Sequence, residues 1–544
     1  MQRRHLLALA GIAALFLIVR LLLVWRFPPF YDEVLYADWA YHGAADPAQR
    51  FVSMAIGRAP LFSWAGMVAV AAGLAPITAV RVVSLLSGLA TFAISGLLGR
   101  ELGGPRVGLT ACALVAITPF LMVHDVIGIY DPLVTALVTA ALYLQIRLAQ
   151  RQGLADALLL GIALGCGALA KESAYIALAL LPFGLLVFDW SPARRAERLA
   201  RWVGGIALAL LITWALYSLM KLSPLWNTYR EQLRIQAGGA AAGYPTHTLT
   251  EGLKHPWRYL SSNWPGFGSD TWQYVTPTIL LAAVIGFVHG VRRNWRLTAL
   301  LAIAFAASYA AALIVTNEQV PRYLLTGIPP LLVLAAAGAV AAFDWLRASG
   351  RPAGRRRAIV AVAALLFVLP AAIFDGRVLA APATARYPGF DDVQYVTGGA
   401  ALEPYKRLDR DLDAVIQGRN VTIALGDFTS NWFDVAFRND HNVTFVRATA
   451  PPLCTSLYAI ETQVPLPART DGLAWKPVRV YTRPRHGVPT TLYESVVPYH
   501  GRVAATPDEL RSLIGGSDAD YDAFGKAHPC VQAWEQAWYT LHPS

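Results

Sequence analysis

A polytopic α-helical membrane protein with a small exported α/β domain at its C-terminus is the fold class this sequence predicts. Of its 544 residues, 56% are hydrophobic and only 15% charged, with a mean hydropathy of +0.43. Apolar runs that approach the length of a membrane span recur as far as Phe374, and beyond it the composition turns polar with frequent turns. The net charge of +11 sits in short basic clusters between the apolar runs. There it orients a membrane chain rather than forming a nucleic-acid surface, and no nucleic-acid partner is expected.

The first run, 6–25, follows a charged start as in a signal peptide but has no small-residue cleavage site before Trp25-Arg26, which makes it an uncleaved first helix. Further spans are predicted over 81–98, 107–123, 132–146, 154–169, 174–188, 202–220, 274–290, 297–315, 323–343 and 358–374. Alternate loops are basic: Arg3-Arg4, Arg100 with Arg106, Arg147 with Arg151, Arg194 to Arg201, Arg292 to Arg296, and Arg351 to Arg357. The positive-inside rule turns these to the cytoplasm and opens Asp32, Glu33, Arg58, Asp131, Lys171, Glu172, Glu318 and Arg322 on the opposite face. Stretch 60–76, counted as a span, would export the Arg-rich loops. Taken instead as juxtamembrane or re-entrant, it leaves about eleven crossings and an exported C-terminus.

The boundary is placed at 376/377, giving a membrane domain over 1–376 and an extracytoplasmic α/β domain over 377–544. In the latter, helices are expected over 407–416 and 431–438 and strands over 421–426, 443–446, 457–462, 478–481 and 491–497. Thr506-Pro507-Asp508-Glu509 is a capping box with Pro at the first helical position, and starts another helix. Cys112 and Cys166 fall inside spans as small apolar residues, whereas Cys454 and Cys530 fall in the exported domain, where a bridge can form. Loop 223–273 is rich in rings (Trp226, Tyr229, Tyr244, Trp257, Tyr259, Trp264, Trp272), which suit a membrane interface.

Adjacent carboxylates at a membrane boundary are costly, so Asp32-Glu33 marks a site. Tyr31-Asp32-Glu33-Val34-Leu35-Tyr36-Ala37, Gly57-Arg58-Ala59-Pro60-Leu61-Phe62-Ser63-Trp64 and Arg81-Val82-Val83-Ser84-Leu85-Leu86-Ser87-Gly88 follow in order. Tyr130-Asp131-Pro132-Leu133-Val134-Thr135, Ala168-Leu169-Ala170-Lys171-Glu172 and Pro321-Arg322-Tyr323-Leu324-Leu325-Thr326 complete the set. Together, over roughly residues 1–345, they resemble the GT-C glycosyltransferases. The similar branch holds protein O-mannosyltransferases and the lipid A aminoarabinose transferase, which take sugars from polyprenyl phosphate carriers.

The resemblance implies a GT-C fold and inverting transfer from a polyprenyl-phosphate sugar to an acceptor hydroxyl. Asp32 takes the role of base, since the attacking hydroxyl must lose its proton to a carboxylate within reach, and Glu33 orients the acceptor or supports the fold. Arg58, Lys171 and Arg322 supply fixed positive charge for the departing lipid phosphate. Arg58 stands where the family often has Lys, and keeps phosphate binding through its fork of donors. Glu172 follows Lys171 where the family has a Gly-like position, and ion pairs Lys171 to Glu172 or Glu318 to Arg322 are the purely structural alternative. Asp131 fits both a functionally sensitive acid and an N-cap ahead of Pro132. His124, Asp125 and Glu318 are accessory candidates.

No cofactor is expected, with a divalent metal as the less favoured alternative should the fold bring Asp131 to the first-loop acids. Metal-dependent oligosaccharyltransferases carry an Asp-x-Asp pair, whereas the first loop here offers Tyr31-Asp32-Glu33, with Asp38 and His42 beyond. Expected partners are the lipid-linked donor, membrane lipids and a lipid, polysaccharide or protein acceptor. The expected location is the inner (plasma) membrane. A flippase for lipid-linked sugars would place its charges near the midplane, not at loop mouths on one side. A non-catalytic cell-envelope assembly protein is the third reading.

Overall fold

The computed structural model describes residues 3–192, 194–237, 249–316, 318–348, 353–416, 420–425, 430–436, 443–447, 456–462 and 473–542. The chain divides into two compact units: Met1–Phe27 with Trp39–Asp391, and Pro28–Asp38 with Asp392–Ser544.

The first unit is helical, as a chain in hydrocarbon must satisfy its own backbone hydrogen bonds. Among the described residues, seven helices are long and apolar enough to cross a membrane. In chain order the unit contains α1 (Arg3–Arg26), part of α2 (Tyr31–Ala45), α3 (Leu61–Ala71), α4 (Pro76–Gly103), α5 (Pro105–Ile117) and α6 (Pro119–His124). There follow α7 (Tyr130–Arg151), α8 (Leu154–Ala170), short helical pieces over Glu172–Val187, α9 (Arg195–Ser218), α10 (Trp226–Ala237) and α11 (Pro256–Val275). The unit ends with α12 (Pro277–Val315), α13 (Ile328–Ala348) and α14 (Ala353–Ala380).

Every predicted span lies largely on helix, but the segmentation differs, and run 107–123 is broken at Thr118 (φ −74°, ψ 120°) into α5 and α6. Runs 274–290 and 297–315 lie largely on two helical arms of α12, as predicted, separated by a kink at Asn294 (φ −147°, ψ 65°). The last span continues past Phe374 to Ala380. Within 60–76, α3 has 11 residues. At about 1.5 Å per residue it reaches roughly half the hydrocarbon thickness, too short to cross. Helices α4, α5, α6, α11 and α12 open with Pro at the first turn, where the missing N–H costs nothing.

Close packing of α12 against α13 depends on two glycines. A Cβ on Gly286 would lie 1.8 Å from the Leu334 carbonyl oxygen, and one on Gly338 would lie 1.9 Å from that of Ala282. Small residues let the backbones touch, as in membrane helix pairs generally. The same pair supports the 3₁₀ turn Pro321–Gly327 that carries Arg322 into α13.

The second unit is built on a mixed sheet of β1 (Val421–Leu425), β2 (Val443–Arg447), β3 (Tyr458–Glu461), β4 (Ala474–Tyr481), β5 (Thr490–Tyr499) and β6 (Arg502–Ala504). Its order is β2-β1-β3-β5-β4, with β6 on β5; β1 pairs parallel with β2 and β3, and the rest are antiparallel. Edge strand β4 accommodates Pro477 beside a register shift, as an edge can. Helices α15 (Glu403–Ile416), α16 (Ser430–Ala436), α17 (Pro507–Ile514), α18 (Asp518–Ala527) and α19 (Pro529–Leu541) complete it. Helix α17 starts at the expected cap, with Thr506 Oγ1 accepting from the Glu509 N–H at 3.2 Å. The start of α2 belongs here too: the Tyr31 N–H donates to Ala400 O and the Leu402 N–H to Pro29 O, both at 3.0 Å. Cys530 is disulfide-bonded and Cys112 and Cys166 are free. Cys454 and Tyr244 lie outside the described residues.

Candidate active site

Asp131 is the centre of the charge cluster in the first unit. It occupies the first turn of α7, while Lys171 is the residue at which α8 ends, in extended conformation (φ −167°, ψ 150°). The Lys171 Nζ donates to Asp131 Oδ1 at 2.8 Å, and Arg322 Nε approaches Oδ2 at 3.9 Å. Asp131 and Arg322 are both buried. An acid at a helix N-terminus and a cation at a helix C-terminus each lie where the helix dipole favours them. Three segments far apart in sequence thus meet at helix ends.

This geometry corrects the structural alternatives. The N-cap of α7 is Ile129, without a side-chain cap, and the Asp131 carboxylate is used by the two cations. Glu172 accepts from the Tyr229 hydroxyl at 2.9 Å, and Glu318 is exposed and makes no ion pair among the described residues. Lys171 also lies over the Tyr323 ring at 4.9 Å.

Arg58 is half-buried and within electrostatic reach of the Tyr130 hydroxyl, next in sequence to Asp131. Its loop is held by Gly57, at φ +73°, where a Cβ would lie 2.6 Å from Gln236 Nε2. Below it, Met54, Ala59, Leu169, Met220 and Tyr229 form a buried apolar cluster that joins the Arg58 loop to the end of α8 and to α10. Of the ring-rich loop, Trp257, Trp264 and Trp272 are exposed, whereas Tyr229 is fully buried, burial pushing its hydroxyl well above the usual tyrosine range. Tyr229→Phe removes the donor to Glu172. The folded chain is expected to lose about 1.5–3 kcal/mol, the worth of one hydrogen bond to a charged group, measured by thermal unfolding of the solubilised protein.

Asp32 and Glu33 belong to the second unit, in the first turn of α2. They do begin a helix, as a purely structural role requires; Asp32 is half-buried and Glu33 fully buried. Asp38, on the same helix, accepts from Asn431 Nδ2 at 3.1 Å.

His124 and Asp125 have partners the sequence reading missed. Arg20 of α1 is fully buried and its Nε donates to Asp125 Oδ2 at 3.0 Å. Burial pushes the Asp125 carboxyl up to about 6 against the pull of Arg20. His124 Nε2 lies 3.2 Å from Asp391 Oδ2. A lone arginine inside the first apolar run was the signal for Arg20. Among the described residues, no group of three or more His, Cys, Asp or Glu is arranged to hold a metal ion.

Residues 57–217 match the family model described as dolichyl-phosphate-mannose-protein mannosyltransferase. No curated protein matches the chain. Among solved structures, ArnT from Cupriavidus metallidurans in the apo state is 17% identical with a TM-score of 0.51, over 89% of this chain and 98% of that one. The same protein bound to undecaprenyl phosphate is 14% identical with a TM-score of 0.50, over 89% and 97%. The apo oligosaccharyltransferase of Archaeoglobus fulgidus is 13% identical with a TM-score of 0.52, over 85% and 70%. Membrane helices in this order, a small sheet-bearing unit after them and these likenesses agree: the chain has the fold of the GT-C glycosyltransferases.

Proposed function

We propose that this chain is an inverting glycosyltransferase that moves a sugar from a polyprenyl phosphate to an acceptor hydroxyl at the extracytoplasmic face of the inner membrane. The observation that carries the reading is the buried Asp131 held between Lys171 and Arg322. Lys171 and Arg322 act on Asp131, and Arg58 is within electrostatic reach of the neighbouring Tyr130 hydroxyl. Fixed positive charge of this kind suits a departing lipid phosphate in a site that water screens poorly. The family model over 57–217 is named for a sugar carried on dolichyl phosphate, and one similar structure holds undecaprenyl phosphate.

In this reading Arg58, Lys171 and Arg322 grip the phosphate and Asp131 orients two of them. Asp32 takes the proton from the acceptor as it attacks the anomeric carbon, with Glu33 beside it positioning the acceptor. The carbon–oxygen bond to the phosphate breaks as the new glycosidic bond forms, and the configuration inverts. Asp131 is neighboured by cations where a divalent ion would want several oxygens, so the proposal includes no metal. The acceptor is a glycolipid, a cell-envelope polysaccharide or a Ser/Thr hydroxyl of an exported protein.

The test is reconstitution of the full chain in proteoliposomes with a panel of polyprenyl-phosphate sugars, with and without a chelator, and mass spectrometry of lipid and acceptor pools. One donor is consumed, free polyprenyl phosphate accumulates, and the chelator has no effect. Arg322→Ala weakens donor binding roughly ten- to hundredfold, the loss of a charged hydrogen-bonding partner of about 1.5–3 kcal/mol. If no donor is consumed and polyprenyl phosphate does not bind, the proposal is wrong.

A further inference from the structure

Gly389-Phe390-Asp391 closes the first unit, and its buried polar contacts are not used by the mechanism above. Asp391 is fully buried, and its Oδ2 accepts from the Tyr274 hydroxyl at 2.6 Å and lies 3.2 Å from His124 Nε2. The Nδ1 of the same imidazole is 2.7 Å from the Phe120 carbonyl oxygen. A carbonyl can only accept, so Nδ1 carries hydrogen. Nε2 and Oδ2 then face each other with lone pairs unless one further proton lies on one of them.

Asp270, on α11, brings a second carboxyl. It is 2% exposed, senses the charge of Asp391 and makes no ion pair among the described residues. Asp270 Oδ2 and Asp391 Oδ1 are both buried without a hydrogen-bond partner. Gly389, at φ +51°, is fitted against this acid, since a Cβ there would lie 2.4 Å from Asp270 Oδ1. Two carboxylates this deep cannot both stay ionised cheaply.

We propose that His124, Asp270 and Asp391 form a buried proton-holding site, with Tyr274 as its fixed donor, that pins residues 389–391 while protonated and loosens them as the pH rises. The other titratable groups facing it are Asp125 and Asp131, which sense His124, and Tyr309, which senses Asp270. Arg20 is committed to Asp125 and to the carbonyls of Val115 and Ala116.

Burial, and then the charge of Asp391, push the Asp270 carboxyl up to about 7. An acid raised on folding binds more protons folded than unfolded, so it removes stability as pH climbs from its unfolded value of about 4 to about 7, with no further loss above. Two measurements on the full chain in detergent test the proposal. Infrared difference spectra between pH about 6 and about 9 are expected to show a protonated-carboxyl band at the lower pH, absent in Asp270→Asn. Between pH about 5 and about 8, the fall in Tm shrinks by at least half in Asp270→Asn. Over the same range, amide exchange at 389–391, corrected for its intrinsic pH dependence, rises at least about tenfold in the wild type and less in the variant. A wild-type spectrum without the band overturns the proposal even if the variant does not fold. An Asp270→Asn protein with the wild-type Tm slope overturns it equally.

Discussion

Asp32→Asn lowers kcat by about 10²–10⁴-fold while donor affinity stays within about twofold, the signature of a lost general base. Asparagine keeps the size of the side chain and its place in the first turn of α2. The carboxylate proposed to take the acceptor's proton goes. The contrast with Arg322→Ala is the informative part: that variant is expected to act on donor binding, because Arg322 lies with Lys171 at Asp131. Single-turnover transfer at saturating donor, together with equilibrium binding of polyprenyl phosphate, separates the two. An Asp32→Asn protein that turns over at the wild-type rate removes Asp32 from the role of base, and one that loses donor binding moves it to the phosphate.

The membrane unit was legible because one constraint dominates it. Hydrocarbon leaves the backbone no partner but itself, so each apolar run had to be helix. Prolines at 76, 105, 119, 256 and 277 stand in first turns of helices, a signal the predicted spans did not use: Pro119 lies inside run 107–123 and Pro256 inside loop 223–273. The division between runs 274–290 and 297–315 was legible from the basic cluster Arg292 to Arg296, and the kink at Asn294 falls inside it. Pairings across long sequence separations were hidden. Lys171 finds Asp131 rather than the adjacent Glu172 because α8 ends beside the start of α7, and no local pattern encodes which helix ends meet. Tyr229 was indistinguishable from its exposed ring-bearing neighbours until the structure showed it fully buried and donating to the half-buried Glu172. In the second unit, α18 and α19 were missed although Ser517 with Asp520 and Pro529 carry the usual start signals.

Arg20→Met is expected to destabilise the folded chain by about 3–5 kcal/mol, the penalty for leaving a buried charge without its partner. Arg20 is fully buried, donating to Asp125 at 3.0 Å and to the carbonyls of Ala116 and Val115 at 2.9 and 3.1 Å, with its guanidinium 3.8 Å from the Phe16 ring centre. Methionine fills much of the stem's volume but leaves the Asp125 carboxylate and two carbonyls unpaired. The Asp125 carboxyl is packed against Gly88, where a Cβ would lie 2.4 Å from its carboxyl carbon, so the space is fitted to this side chain. The loss therefore depends on pH. Burial holds the Asp125 carboxyl near 6 even with Arg20 present, and without that cation it rises further. An acid raised on folding gains protons in the native state, so Arg20→Met recovers stability as the pH falls from about 7 toward about 4. Adding Asp125→Asn removes the charge with little change in shape, and the double variant recovers most of the loss at neutral pH, as replaced buried ion pairs commonly do. Thermal unfolding of the solubilised full chain for the wild type, both single variants and the double variant completes the cycle. Additive losses would show that Arg20 and Asp125 contribute separately and that the 3.0 Å contact carries no coupling.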